Sequence, residues 1–256
     1  MKNIILATIL LCTSFACAQF GQPKAKIDKN DYYYHSRTGF YFTTGLTFGH
    51  TSLHHSRVYE EYSGESQDDK DYTGWHTPYT EVRIGGYYED LASIYGAIGI
   101  GWGSGDYKYT HNYRSSRKDS DPIESSSKAS ASDFNILLGL GAEFYPVRNK
   151  ESVLYGLFLG FGGGYTIEGV TYEEEHDDDY RYKKNTGTQG YHRFFARAEA
   201  RYDWWFSKRW RLGASFNYTF GINSDDHDEK SQYMSSYKDE ESISSHTFGL
   251  TLRIAR

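Results

Sequence analysis

The residues able to do chemistry fall into three groups. His50-x-Ser52 places an imidazole and a hydroxyl two positions apart, the parts of an activated nucleophile. The runs Glu173-Glu174-Glu175-His176-Asp177-Asp178-Asp179 and Asp225-Asp226-His227-Asp228-Glu229 gather carboxylates of the kind that hold Ca²⁺ or Mg²⁺. Neither has the ligand spacing or the turn glycine of an EF-hand loop, so both read first as solvated, self-repelling segments. The third group lies on one alternating stretch from Tyr191 to Trp210. Its odd positions carry Arg193, Arg197, Glu199, Arg201 and Asp203, and its even positions are Phe194, Ala196, Ala198, Ala200, Tyr202, Trp204 and Phe206. A strand sends alternate side chains to opposite faces, so this segment has one apolar face and one densely charged face. Charges of alternating sign at that spacing can pair with one another and with neighbouring strands. This reads as a membrane-spanning strand, with lipid on the even side and a filled polar lumen on the odd side.

Strands are what must position these groups, and the same alternation recurs in eight runs after Gly39. Phe40, Phe42, Leu46 and Phe48 oppose Thr43, Gly45, Thr47 and Gly49 in the first; Val82, Ile84 and Tyr88 oppose Glu81 and Arg83 in the second. Ile94, Ile98, Ile100 and Trp102 oppose glycines in the third, and Phe134, Ile136, Leu138, Leu140 and Phe144 oppose Asn135, Gly139, Gly141 and Glu143 in the fourth. The fifth sets Val153, Tyr155, Leu157, Leu159, Phe161 and Ile167 against Gly156, Gly160, Gly162 and Gly164. The seventh sets Trp210, Leu212, Phe216, Tyr218 and Phe220 against Arg211, Ser215 and Asn217, and the eighth His246, Phe248, Leu250, Leu252 and Ile254 against Thr247, Gly249, Thr251 and Arg253. Each run reaches roughly the 9 to 11 residues that cross a bilayer as a tilted strand. Connections alternate between short (89–93, 149–152, 207–209) and long (52–79, 104–131, 170–190, 223–243), which puts all the long ones on one side. The expected fold is all-β: an eight-stranded antiparallel up-and-down transmembrane β-barrel with four long extracellular loops and three short periplasmic turns. Aromatic residues at both ends of the outer face form two girdles, Phe40, Tyr88, Phe144, Tyr155, Trp204, Phe206 and Trp210 at one level and Phe48, Trp102, Phe134, Tyr165, Phe194 and Phe220 at the other.

Composition agrees. The 256 residues include 25 Tyr and 26 Gly against 4 Pro, and the net charge of −6 offers no basic footprint for nucleic acid. Residues 1–18 carry Lys2, an apolar run from Ile4 to Leu11 and Ala16-Cys17-Ala18, a signal peptide cut before Gln19. Both cysteines, Cys12 and Cys17, leave with it, so no disulfide framework is expected. Residues 19–38 read as a periplasmic N-terminal segment and 39–256 as the barrel domain.

Over Gly39 to Arg256 the chain resembles the small eight-stranded outer-membrane barrels of the OmpA and OmpX type. Thr247-x-Gly249-x-x-Leu252-x-Ile254 is similar to the signal by which such barrels are recognised for assembly, with Ala255-Arg256 standing where a terminal aromatic is usual. The resemblance implies the cell outer membrane as address, lipid, lipopolysaccharide and the barrel assembly machinery as partners, no cofactor, and a monomer.

A barrel of eight strands is filled by side chains. Glu81, Arg83, Glu143, Arg193, Arg197, Glu199, Arg201, Asp203, Arg211 and Arg253 all point inward by parity, and buried charges must be paired. The turn at 207–209 sets Trp205 opposite Arg211, and a lower cluster of Glu143, Asp203, Arg211 and Arg253 is expected. The glycines of the third and fifth strands make room for the large residues of the sixth. Function is then expected in the acidic, Tyr-rich surface segments, as a non-catalytic barrel serving envelope stability, adhesion or ligand binding. Three alternatives stand beside it: a narrow pore, a soluble lipocalin-like binder with the apolar face inward, and a lipid hydrolase. For the last, closure brings His50-x-Ser52 near Ser244 and His246, a spacing similar to that of the lipid A deacylase barrels, but no carboxylate is in place to orient the histidine.

Overall fold

The structure, a computed structural model, describes residues 37, 39–61, 64–89, 91–115, 123–148, 152–178, 181–206, 210–229 and 237–256. The expected signal peptide and, Arg37 apart, the segment that follows it lie outside the described residues. The strands are β1 (Gly39–Glu61), β2 (Gly64–Tyr88), β3 (Ala92–Ser115), β4 (Ile123–Phe144), β5 (Leu157–Asp178), β6 (Arg181–Trp205), β7 (Arg211–Glu229) and β8 (Tyr237–Ala255). Each pairs antiparallel with its chain neighbours, and β8 returns to β1, so eight strands close one barrel. The end that carries the turns β2–β3, β4–β5 and β6–β7 is called lower here, and the opposite end upper.

The strands run from 19 to 25 residues, about twice what a tilted crossing needs. This corrects the expectation of four long loops. Most of 52–79, 104–131, 170–190 and 223–243 is strand, continued beyond the apolar belt. The apolar alternation that marks a strand in lipid disappears where the outside faces water, so a polar strand there has the sequence of a loop; its Tyr, Thr and Ser content still suits a pleated surface.

The belt faces outward as expected. Phe42, Leu46, Phe48, Ile84, Ile98, Leu138, Phe161, Phe194, Trp204, Phe216, Leu250 and Leu252 are all exposed, while Thr43, Glu81, Arg83, Glu143, Glu199, Arg201 and Arg253 are buried inside. A lipocalin-like barrel requires the reverse, and that alternative falls. Tyr155 is the one girdle residue placed wrongly: Val153–Gly156 forms a 3₁₀ turn under β5, with Ser152 Oγ accepting from Leu154 N, and the turn folds the Tyr155 ring into the barrel mouth. Trp75, on β2, joins the upper girdle instead.

Two irregularities matter. Between His76 and Thr80 the register of β2 shifts against both neighbours, with Thr47 paired to Tyr79 and Gly49 to His76. One extra residue at Thr77-Pro78 inverts the parity of β2. Tyr79, Glu81 and Arg83 point inward below it, and His76 and Tyr72 above it. Proline, with no N–H to give, suits that position. Second, β6 and β7 pair only from Phe194–Ile222 down to Trp205–Arg211, and β4 leaves β5 above Ser130–Glu173. The upper part of the β5–β6 hairpin therefore stands as a ribbon held by its own two strands.

Candidate functional site

The lumen is filled in storeys. At the bottom the Arg37 guanidinium lies 4.0 Å above the Tyr145 ring and 4.2 Å from that of Tyr155, and donates to the Tyr155 carbonyl. Tyr145 donates to Glu143 at 2.7 Å. Arg201 covers the Phe158 ring at 3.8 Å, and Arg211 lies near the rings of Tyr41, Tyr87 and Trp205. Arginine suits this role because its flat, weakly hydrated cation stacks on aromatic faces. Arg37 falls in the segment the sequence assigned to the periplasmic leader.

Above this floor sits the ionic network. Arg83 is its hub, with Nε 2.6 Å from Glu81, Nη2 2.6 Å from Glu199 and Nη1 3.3 Å from Glu143. Its guanidinium also lies 4.4 Å from the Tyr95 ring. Arg253 reaches Glu81 at 2.8 Å and Glu199 at 3.3 Å, and Arg197 pairs with Glu81 and donates to Thr219 Oγ1 at 3.0 Å. Lower down, Asp203 takes Arg201 Nε at 2.7 Å and Arg211 Nη1 at 3.2 Å, while Arg201 touches Glu143 at 3.4 Å. Nine of the ten expected network residues meet here, and Trp205 does pair with Arg211 across the turn.

Two details differ from expectation. Arg253 belongs to the upper tier of this network, not to the lower cluster. The aliphatic stem of Arg201 occupies the space left by Gly213, its Cδ 2.9 Å from where a Cβ would stand, and satisfies Asp203 from there. Arg253 is left to the carboxylates above. Arg193 is the tenth residue, and it sits higher still, paired with Glu168. The glycines also serve other partners than supposed: Gly99 and Gly101 on β3 give way to the Tyr79 ring of β2, while Gly139 on β4 accommodates Phe195 of β6 at 3.0 Å.

Over the network lies a small cavity of about 60 Å³, lined among others by Tyr79, Asn135, Phe195 and Arg197. Its roof is a set that the sequence reading did not name. His76 Nδ1 is 3.0 Å from Asp133 Oδ2, Tyr72 donates to Asp133 Oδ1 at 2.6 Å, and Glu168 takes Arg193. Asp133 and Glu168 were within reach of parity, two positions from Asn135 and four from Gly164; His76 was hidden by the β2 bulge. Above them Leu53, Tyr72, Tyr107, Ala131, Val170, Tyr191 and Ile243 form an apolar cluster across the lumen, with Tyr107 and Tyr172 stacked at 4.2 Å.

The outer constellation near His50 is partly assembled. Ser52 stands directly across from His246, as closure requires, but His50 faces Phe248 and packs its ring against Trp75 at 5.0 Å. His246 Nδ1 is engaged by Tyr218 Oη at 2.6 Å. A carboxylate does exist on this face: Asp71 lies 2.6 Å from Nδ1 of His54, whose cross-strand neighbour is Ser244. None of the described hydrogen bonds joins Ser52 or Ser244 to a histidine. The acidic runs around His176 and His227 fall at the upper ends of β5 and β7; Glu173 is exposed, and the other side chains of both runs are outside the described residues.

In the assembly segment, Leu252 and Ile254 face outward, Thr247 bonds Thr51 at 2.9 Å, and a Cβ on Gly249 would lie 2.8 Å from Asn217 Oδ1. Ala255 is buried and Arg256 exchanges both backbone bonds with Phe42, so these residues extend the closing seam.

No protein-family model matches the chain and no curated protein matches it. Among solved structures, the outer membrane protein OprG from Pseudomonas aeruginosa is 10% identical over 85% of this chain and 96% of its own, with a TM-score of 0.36. Neisserial surface protein A (NspA) is 10% identical over 86% and 98%, with a TM-score of 0.33, and the N-terminal β-barrel domain of Pseudomonas aeruginosa OprF is 13% identical over 78% and 96%, with a TM-score of 0.22. It is the chain's own inside-out surface that decides its setting. A closed antiparallel barrel with an apolar belt, aromatic girdles and an ionic interior is an integral outer-membrane β-barrel, located in the cell outer membrane.

Proposed function

We propose that this is a non-catalytic barrel whose working surface is the wall standing above the membrane, used for adhesion or ligand binding at the cell surface. In this reading it belongs with the small barrels of the OmpA and OmpX type. The observation that supports it is the division of labour along the strands: the lumen is occupied by buried ion pairs and roofed by the Leu53–Tyr191 cluster, while the strands continue well above the belt and the β5–β6 ribbon is rich in Tyr and charged residues in sequence. Tyr gives contact area at low entropy cost, which suits recognition.

The test is to replace 174–185 by a two-residue Asn-Gly turn and present both forms on cells. Retained heat-dependent mobility on a gel with loss of binding to host-surface or matrix proteins supports the reading. Equal binding by both forms, or no binding by either, moves function away from the ribbon. Conductance in a planar bilayer separates the pore alternative, which requires discrete open steps from the intact barrel.

A further inference from the structure

We propose that His76, Asp133 and Glu168 form a binding site for one first-row divalent cation of the Zn²⁺ type, set at the roof of the lumen cavity. Each comes from a different strand, β2, β4 and β5, and all three are buried. One potential ligand atom from each lies within 4.8 Å of the others. Ligand atoms around a tetrahedral Zn²⁺ stand about 3.3–3.6 Å apart, given metal–ligand lengths of about 2.0–2.2 Å. Closing onto an ion therefore needs side-chain shifts of up to about 1 Å.

A second observation points to a ligand. Glu168 is 2% exposed, and while one of its oxygens takes Arg193, Oε1 has no hydrogen-bond partner. A buried carboxylate oxygen without a partner is costly. The rival occupant of the site is a proton on His76. Placed on Nδ1, it would serve Asp133 Oδ2 at 3.0 Å and leave Glu168 Oε1 as it is. A cation in front of His76 serves both carboxylates at once. One imidazole with two carboxylates is a mixed nitrogen and oxygen set that suits Zn²⁺ and its first-row neighbours better than Ca²⁺. The adjoining cavity is well above the roughly 10–15 Å³ a single water needs, so it can complete the coordination.

The surroundings are built as a supporting shell. Tyr72 fixes Asp133 through its other oxygen at 2.6 Å, and Arg193 fixes Glu168. Such outer partners orient ligands and tune their basicity. The apolar cluster above seals the site, so the ion enters as the barrel closes.

The full chain is refolded into detergent micelles with Zn²⁺ present, passed through gel filtration, and its metal content measured. The expected result is about one ion per barrel, with Zn X-ray absorption showing one imidazole and an oxygen shell. Glu168→Gln and Asp133→Asn, each confirmed as folded by its heat-dependent gel shift, lower Zn²⁺ affinity by about 100-fold or more, at the upper end of what loss of a supporting partner costs. His54→Asn with His111→Asn, which removes the surface pairs with Asp71 and Asp68, leaves it unchanged. The proposal is overturned if the wild type retains no ion, if the bound ion shows no imidazole, or if the surface double variant is the one that loses it. Should neither carboxylate variant fold, wild-type stoichiometry and absorption decide alone.

Discussion

The lower and upper halves of the lumen are filled by opposite means. Below, around Arg83, carboxylates and guanidinium groups pair with one another and the arginines lie against aromatic rings; above, Leu53, Tyr72, Tyr107, Val170 and Tyr191 pack with little charge. The same strands supply both. On β1, Phe42 and Phe48 face out and Thr43 and Thr47 face in, whereas farther up Leu53 faces in and His54 faces out. The cause is the medium outside the wall. In the belt that medium is lipid, so apolar groups go outward and polar groups must be satisfied within. Above the belt it is water, and the wall reverts to the order of a soluble barrel. One chain thus contains two barrels of opposite polarity stacked end to end.

Substitutions at matched depth break or sharpen that contrast. The largest effect is expected from Arg83→Met, which leaves Glu81, Glu143 and Glu199 short of a buried cation; about 3–5 kcal/mol should be lost, read from the urea midpoint of the barrel refolded in micelles. In the upper half Tyr72→Phe removes one hydrogen bond to a carboxylate, at about 1.5–3 kcal/mol. An Arg83→Met loss no greater than that of Tyr72→Phe would mean that the lower half does not depend on its charges as described. Gly101→Leu drives a side chain into the Tyr79 ring between the two halves and should cost about 1–3 kcal/mol in the same assay. Ser52→Ala, on the outside, should change stability by less than about 0.5 kcal/mol and leave the masses of extracted lipid A unaltered; altered masses would revive the hydrolase.

The lower barrel was legible because its signal is local. Arg193, Arg197, Glu199, Arg201 and Asp203 announce their face by sitting on one strand beside Phe194, Trp204 and Phe206. Parity then placed Glu81, Glu143 and Arg253 inward, though not which carboxylate each arginine would choose, since that depended on space such as Gly213 leaves to Arg201. The upper barrel was not legible for two reasons. Its outer residues are polar, so 52–79 and 104–131 lost the alternation that identifies a strand in lipid. The extra residue at Thr77-Pro78 also reversed β2, so a parity count carried upward from Glu81 turns His76 and Tyr72 outward. Asp133 and Glu168 lie just beyond the ends of the apolar-alternating runs, and only register across β4 and β5 brings them under the same roof.

The seam between β1 and β8 governs timing as well as shape. It runs from Thr43–Ala255 to Tyr59–Asp239, and Thr47 meets Thr251 across 204 positions of chain. Arg253 finds Glu81 across 172. The β5–β6 and β6–β7 hairpins can pair Arg193 with Glu168 and Arg211 with Asp203, but Arg83 and Arg197 each bond a carboxylate 116 positions away, and Arg253 arrives only with the final strand. Assembly must therefore be concerted and slow, as contacts of such separation require. The same condition protects the finished molecule: a route out has to break the closed ring of strand pairs before Arg83 is parted from Glu199, so persistence is set by a barrier and not by the equilibrium alone.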